Sequence, residues 1–196
     1  SHEILKEAGY DDQEIESFTW FRQVPLTKEK TLPQKTVVIA DYESALNSAK
    51  TNRDKAIIEV LWSCGVRRKE LTELRIEDVD FQGQFIVIRQ SKTGKPRVVP
   101  MSPETRRALR RHLKGRSEGE VFNITPNGVR LMLARIGAPS AHSFRRGWAV
   151  QSLRAGVSET SVRAAAGWSS GAMVARYTRA LSGELAILEF QRSWTV

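Results

Sequence analysis

Four short segments, far apart in the sequence, carry side chains that could act on a phosphate group. In the first, Arg67 follows Gly65 at a sharp corner before a predicted helix, and Glu70 lies one helical turn further on, within reach of Arg67. In the second, Lys92 lies in the predicted glycine turn of a β-hairpin, from which a lysine can reach into a groove. Considered alone, each segment is more typical of a solvated corner or a polar turn than of a catalytic group.

The other two segments lie in the C-terminal half. His142 and Arg145 are spaced i, i+3, so they share one face of a predicted helix and offer a proton acceptor and an oxyanion clamp. Tyr177 has arginines on both sides, and nearby positive charge predicts a phenol shifted toward its phenolate form. Trp168 supplies one indole N–H donor. Considered alone, His142 is more typical of a helix start than of a catalytic group, and both aromatic residues are typical of a core.

Together the four segments supply a nucleophile, a base, an acid and several donors for a phosphate. In chain order these residues are Arg67, Lys92, His142, Arg145, Trp168 and Tyr177. The set needs no metal, and the sequence lacks the acidic clusters that hold Mg²⁺ in two-metal nucleases. We therefore expect phosphoryl transfer without a metal or any other cofactor.

Composition agrees with a partner that carries phosphates. The chain has 196 residues with 31 Lys and Arg against 22 Asp and Glu, a net charge of +9, and its sequence pI is about 10.0. This balance makes nucleic acid the leading partner. The single cysteine, Cys64, excludes an internal disulfide framework and a zinc site built on several thiolates. No apolar run approaches the ~20 residues needed to span a bilayer, so we expect an intracellular protein with no membrane partner.

The charge is unevenly distributed along the chain. Residues 1–35 carry a net charge of −2, whereas the remaining residues carry +11. The densest basic stretch is 89–116, which contains ten Lys and Arg residues and one acidic residue. We interpret this stretch as a surface that follows nucleic-acid phosphates, with an ordinary solvated basic face as the alternative.

The pattern of apolar residues predicts an α+β fold that is mostly helical, with a small antiparallel β-hairpin. Residues 53–64 form the clearest helix, with Asn52 as its N-cap and Gly65 as its end. Residues 84–90 and 96–100 are predicted to be the hairpin strands. The other predicted helices cover residues 41–49, 68–75, 103–114, 126–137, 141–155, 159–166, 170–179 and 182–191.

The amino-acid sequences of the four segments resemble motifs in the catalytic domain of the tyrosine recombinases, the phage integrase family. The matching sequences are G-V-R-R-K-E-L with Arg67 and Glu70, S-K-T-G-K-P-R-V-V-P with Lys92, H-S-F-R-R with His142 and Arg145, and G-W-S-S followed by R-Y-T with Trp168 and Tyr177. The resemblance covers about residues 40–180. One such motif alone is weak, but four in this order are specific.

The chain departs from the family pattern in several ways. Trp168 stands where most members have histidine, although a minority have tryptophan, and Arg146 stands where histidine is frequent. The interval between the hairpin and His142 is short, which suggests a compact member. The core-binding domain that usually precedes the catalytic one is absent from this sequence, which we interpret as a fragment of a longer protein.

The resemblance implies the chemistry of site-specific DNA recombination. Tyr177 would attack a DNA phosphodiester and form a 3′-phosphotyrosyl link with release of a 5′-hydroxyl. Arg67 and Arg145 would bind the non-bridging oxygens, and Trp168 would donate a further hydrogen bond to the same phosphate. The phosphotyrosine conserves the bond energy, so the reaction needs no ATP.

The remaining roles also follow from the resemblance. His142 would accept or position the tyrosine proton, Lys92 would protonate the leaving oxygen as general acid, and Glu70 would orient the arginines. A further basic set is expected to contact DNA, namely Arg68, Lys95, Arg97, Arg146, Arg176 and Arg179.

The same resemblance suggests a domain organisation and partners. We expect an N-terminal segment and linker at 1–35, a catalytic domain at 36–180 and a tail at 181–196. The apolar tail either packs on its own domain or docks onto a neighbouring protomer. The implied partners are double-stranded DNA, a homotetramer on DNA and accessory DNA-bending proteins. The implied setting is a mobile element in the nucleoid-associated cytoplasm of a prokaryotic or viral system.

Three alternatives stay open. Type IB topoisomerases and telomere resolvases use the same phosphotyrosine chemistry, and the four motifs separate them poorly from recombinases. A non-catalytic helix-turn-helix regulator is a third interpretation, since residues 161–177 fit that motif. The regulator leaves Lys92 and the His-x-x-Arg motif without a role, and it would never become covalently linked to DNA.

Overall fold

The computed structural model describes residues 35–89 and 96–194, and this part of the chain is mostly helical. Its α-helices are α1 (Ile39–Ser48), α2 (Asn52–Cys64), α3 (Arg68–Thr72), α4 (Pro103–Leu113), α5 (Pro126–Arg135), α6 (Ala141–Arg154), α7 (Glu159–Ala166) and α8 (Ala172–Ser193). A short 3₁₀ helix, Ile76–Asp78, leads into strand β1 (Val79–Asp80), which is followed by β2 (Phe85–Ile88) and β3 (Arg97–Pro100). The predicted α+β class is confirmed.

Side-chain caps determine where several helices begin. The Ser102 hydroxyl accepts from the amide of Thr105 at 3.1 Å, with Pro103 as the first helical residue of α4. Thr125 caps α5 in the same way, so both predicted starts are confirmed. The cap of α2 is Thr51 rather than Asn52, because the Thr51 hydroxyl accepts from the Asp54 amide at 3.0 Å.

The strands form an antiparallel sheet in the order β1–β2–β3. Ile86 pairs with Val79 on one side and with Val99 on the other, and all three are buried against the helices. The predicted hairpin is therefore confirmed, with shorter strands. β1 was not predicted, because a strand of two residues is too short to show an alternation of apolar and polar side chains. The hairpin turn with Lys92 and Lys95 lies outside the described residues.

Two clusters of buried side chains hold the fold together. The larger one surrounds α2 and includes Ile57, Ile58 and Leu61. The smaller one joins α6, α7 and α8 through residues such as Val162 and Tyr177. Within the described ranges, no helix is long and apolar enough to cross a membrane.

α8 replaces two predicted helices, 170–179 and 182–191, with one continuous helix. Leu181, at the predicted gap, is fully buried, and Glu184 pairs with Arg154 of α6 at 2.7 Å. These contacts outweigh the roughly 1 kcal/mol that a glycine costs inside a helix, here Gly183. The expected boundary at 180/181 thus falls inside α8. Near its end, Phe190 is exposed, and docking of this tail on another protomer stays a prediction.

Gly65 is a position where we expect substitution to be costly. Its φ is +59°, and an added β-carbon would overlap the ring of Trp148. Gly65→Ala should therefore lower the free energy of unfolding by about 2–4 kcal/mol, the sum of left-handed strain and overpacking. Urea titration would measure it.

Gly137→Ala is the matched control. Its φ is +70°, and no described atom lies within 4 Å of the added β-carbon. It should lose only about 1 kcal/mol from backbone strain. Equal losses in the two variants would show that Trp148 moves aside and that the overlap costs nothing.

Candidate active site

A cleft of about 550 Å³ brings together two segments that are distant in sequence. Arg67 and Arg68 come from the corner between α2 and α3, and His142 and Arg145 come from the first turns of α6. The predicted common face of His142 and Arg145 is thus present. Lys69 and Ser140, which the sequence analysis did not select, also line the cleft. Their adjacency to Arg67 and His142 was the available signal.

Arg67 is held by Glu70. The Glu70 carboxylate accepts from the Arg67 backbone amide and from Arg67 Nη1, both at 2.7 Å, as the helical spacing predicted. It also accepts two hydrogen bonds from Arg97. Burial alone would raise the pKa of Glu70, but the hydrogen bonds and charges of Arg97 and Arg67 lower the pKa to about 2. The carboxylate is therefore ionised and fixes the start of α3.

The environment of Arg97 does not favour its expected contact with a DNA phosphate, which stays a prediction. Its side chain is only 8% exposed, and its donors bind Glu70 and the Ala165 carbonyl. That expectation came from interpreting the whole basic stretch 89–116 as a surface that follows nucleic-acid phosphates. Of the other residues in the expected DNA-binding set, Arg68, Arg176 and Arg179 are exposed, and Arg146 is half-buried.

Arg145 is buried, with 3% of its surface exposed. Its two terminal nitrogens donate to the carbonyls of Gly65 and Ala166, at the C-terminal ends of α2 and α7. Such carbonyls lack hydrogen-bond donors inside their own helices, and the Arg145 guanidinium supplies those donors. Burial, followed by the charge of Arg67, lowers the pKa of Arg145 to about 9, and the group stays protonated at neutral pH.

Trp168 lies against Arg145, and Tyr177 stacks on Trp168. The Arg145 guanidinium carbon lies 5.4 Å from the Trp168 ring centroid, and the Trp168 and Tyr177 ring centroids are 6.4 Å apart. Tyr177 is only 1% exposed. Burial raises the pKa of Tyr177, and the opposing charges of Arg146, Arg176 and Arg145 do not reverse this. The predicted shift toward phenolate is therefore wrong.

His142 lines the cleft and is exposed to solvent. Partial burial, followed by the positive charges of Arg146, Arg145 and Arg67, lowers its pKa. At neutral pH the imidazole is therefore uncharged and can accept a proton.

Arg146 offers a test of the field around the phenol. It donates to the Lys35 carbonyl at 3.2 Å, and its charge and hydrogen bonding lower the pKa of Tyr177. Arg146→Met should therefore raise that pKa further, so the phenolate forms only at higher pH. NMR titration of protein labelled with ¹³C at the tyrosine ζ carbons would show this, with Tyr177→Phe assigning the signal. Arg179→Met, an exposed arginine of α8, is the control, and an equal shift there would contradict the specific role of Arg146.

The structure thus brings Arg67, His142 and Arg145 to one cleft. Trp168 packs against Arg145 and Tyr177 stacks on Trp168, but neither aromatic residue lines the cleft. Lys92 lies outside the described residues. Within 35–89 and 96–194, no three His, Cys, Asp or Glu side chains lie close enough together to hold a metal ion.

Comparison with known proteins decides the family. The model of the phage integrase family matches residues 37–184, which is most of the chain and includes every residue of the cleft. This chain belongs to the phage integrase family. The family's catalytic fold, expected from the sequence, is therefore the one observed.

Individual relatives of this integrase-family chain are also recombinases and integrases. Tyrosine recombinase XerA of Saccharolobus solfataricus is 29% identical over 139 residues, covering 68% of this chain and 48% of that protein. A crystal structure of XerA recombinase has a TM-score of 0.65 at 25% identity, covering 79% and 61% of the two chains. The Tn1549 transposon integrase, solved in complex with transposon right end DNA, has the same fold, with a TM-score of 0.61 at 18% identity and coverage of 90% and 78%. The chain spans about half the length of the curated relatives it matches.

Proposed function

We propose that this chain is the catalytic part of a site-specific DNA recombinase that cleaves and rejoins DNA through a 3′-phosphotyrosyl intermediate. One observation carries the proposal. The buried Arg145 lines the cleft together with Arg67 and His142, and its guanidinium also lies against the ring of Trp168, on which Tyr177 stacks. Family membership supports the same chemistry.

Tyr177 is the proposed nucleophile. Its phenolic oxygen attacks the scissile phosphorus, the bond from phosphorus to the 5′ oxygen breaks, and the DNA strand leaves with a 5′-hydroxyl. The raised pKa of Tyr177 keeps the phenol protonated in the resting protein, so a base must remove the proton during attack. The neutral ring of His142 is the proposed acceptor or positioning group.

The proposed phosphate clamp consists of Arg67 and Arg145. Both are oriented before DNA arrives, Arg67 by Glu70 and Arg145 by two backbone carbonyls, so little reorganisation is needed as charge builds on the non-bridging oxygens. Trp168 donates one further hydrogen bond through its indole N–H. Lys92 would protonate the leaving 5′ oxygen.

Rejoining is the reverse step. A 5′-hydroxyl from a second DNA attacks the phosphotyrosine, the bond from phosphorus to Tyr177 breaks, and the phenol regains its proton. Strands are thereby exchanged without ATP. The proposed partners are double-stranded DNA, a homotetramer assembled on it and accessory DNA-bending proteins, in the nucleoid of a prokaryotic or viral system. The net charge of +9 supports the DNA partner.

The test uses the full-length protein and nicked suicide duplexes from its own source element, in EDTA. We expect a slowly migrating adduct on denaturing gels, and protease digestion should leave a peptide containing Tyr177 on the DNA 3′ end. DNA binding without an adduct would overturn the proposal. Joining between two duplexes identifies a recombinase, whereas relaxation of supercoiled plasmid alone would identify a type IB topoisomerase.

A further inference from the structure

Arg97 lies on β3, next to the proposed clamp but with no place in it, and its side chain is only 8% exposed. Its Nη1 and Nη2 donate to the two oxygens of Glu70 at 2.8 and 2.7 Å, and its Nε donates to the Ala165 carbonyl at 2.7 Å. A bidentate pair of this kind fixes the carboxylate in one plane, which a single hydrogen bond does not.

Both partners of Arg97, Glu70 and the end of α7, also contact an arginine of the proposed clamp. Glu70 holds Arg67 through its side chain and backbone amide. Ala165 immediately precedes Ala166, whose carbonyl accepts from Arg145. Arg97 therefore lies between the two groups that must contact the same phosphate.

Packing at the end of α7 supports this link. Gly167, which follows α7 with φ +63°, approaches Arg97 so closely that an added β-carbon would lie 2.9 Å from Arg97 Cδ. The helix end and the arginine stem are thus in direct contact. A shift of Arg97 would move both the Glu70 carboxylate and the carbonyls at the end of α7.

We propose that Arg97 is a positioning residue for DNA cleavage, which sets the spacing of Arg67 and Arg145 by holding Glu70 and the C-terminal end of α7 together. This inference rests on the proposed function. It differs from a phosphate contact, because the donors of Arg97 face carboxylate and carbonyl groups inside the protein.

The test compares wild type with Arg97→Met and Arg97→Lys, using single-turnover cleavage of suicide duplexes at saturating DNA. We expect cleavage about 10–100-fold slower in both variants, by analogy with the loss of a residue that orients a metal ligand. Lysine should not rescue, because it offers a point charge instead of a planar fork. DNA affinity and its salt dependence should stay at wild-type values. Arg97→Lys keeps a positive charge at this position, so the cleavage test can use this variant alone if Arg97→Met does not fold.

A double variant separates positioning from general destabilisation. If Arg97 acts through the spacing of Arg67 and Arg145, Arg97→Met should slow cleavage less in the Arg67→Ala background than in wild type. Arg154→Met is the control. Arg154 is the last residue of α6, and it makes a similar pair with Glu184 of α8. This variant should lower Tm without slowing cleavage by the folded protein.

Several results would overturn the inference. These are unchanged cleavage in the Arg97 variants, multiplicative losses in the double variant, or weaker DNA binding with a salt slope reduced by about one, which marks a phosphate contact. If wild type itself forms no adduct, the proposed function fails and this inference fails with it.

Discussion

Tyr177→Phe is expected to abolish covalent attachment to suicide duplexes while leaving DNA binding at the wild-type level. The substitution removes only the phenolic oxygen, which is the atom proposed to attack phosphorus. The ring keeps its stacking on Trp168, whose centroid lies 6.4 Å away, so the buried cluster between α6 and α8 should persist. Denaturing gels measure the adduct, and fluorescence anisotropy measures binding.

Tyr42→Phe is the matched control. Tyr42 is a partly buried tyrosine whose hydroxyl donates to Glu59 at 2.8 Å, and neither of these two residues lines the cleft around Arg67 and Arg145. We expect full adduct formation from this variant. An adduct that persists in Tyr177→Phe would show that another residue is the nucleophile.

Arg145→Lys is expected to slow cleavage by about 10²–10³-fold, in line with the loss of an oxyanion donor. One ammonium cannot span the carbonyls of Gly65 and Ala166 and still meet the phosphate, because it lacks the planar fork of arginine. A carbonyl left without a partner costs roughly 1–3 kcal/mol, so stability should fall as well. Single-turnover kinetics and urea titration measure the two effects.

Arg154→Lys separates the two effects. Arg154 lies on the same helix, α6, and makes two hydrogen bonds to the buried Glu184, so its replacement also disturbs a buried pair. We expect lower stability but nearly normal cleavage. If Arg154→Lys slowed cleavage as much as Arg145→Lys, the rate loss would report stability rather than a phosphate contact.

Local sequence determined much of the helical framework. The starts of α4 and α5 follow from a hydroxyl followed by proline, and the bounds of α7 agree with the prediction. Each of these signals acts within a few residues of chain, so no distant contact was needed. The end of α2 at Gly65 is similar, since its left-handed φ favours glycine.

The candidate site was predictable as a set of residues, because family motifs are read in chain order. Arg67, His142 and Arg145 meet at one cleft, as expected for parts of one site. The i, i+3 contact between Arg67 and Glu70 was also predictable, because helical geometry sets it. The placement of Lys92 stays a prediction.

Tertiary structure alone decided the environment of each group. The burial of Arg97 and its bidentate hold on Glu70 depend on the approach of β3 to α3, which a count of basic residues does not reveal. The continuity of α8 depends on the burial of Leu181 and the pairing of Glu184 with Arg154. The pKa of Tyr177 is raised because desolvation outweighs its arginines. Residue type and spacing determine which charges are near in the chain, but only packing determines how much water each charge loses.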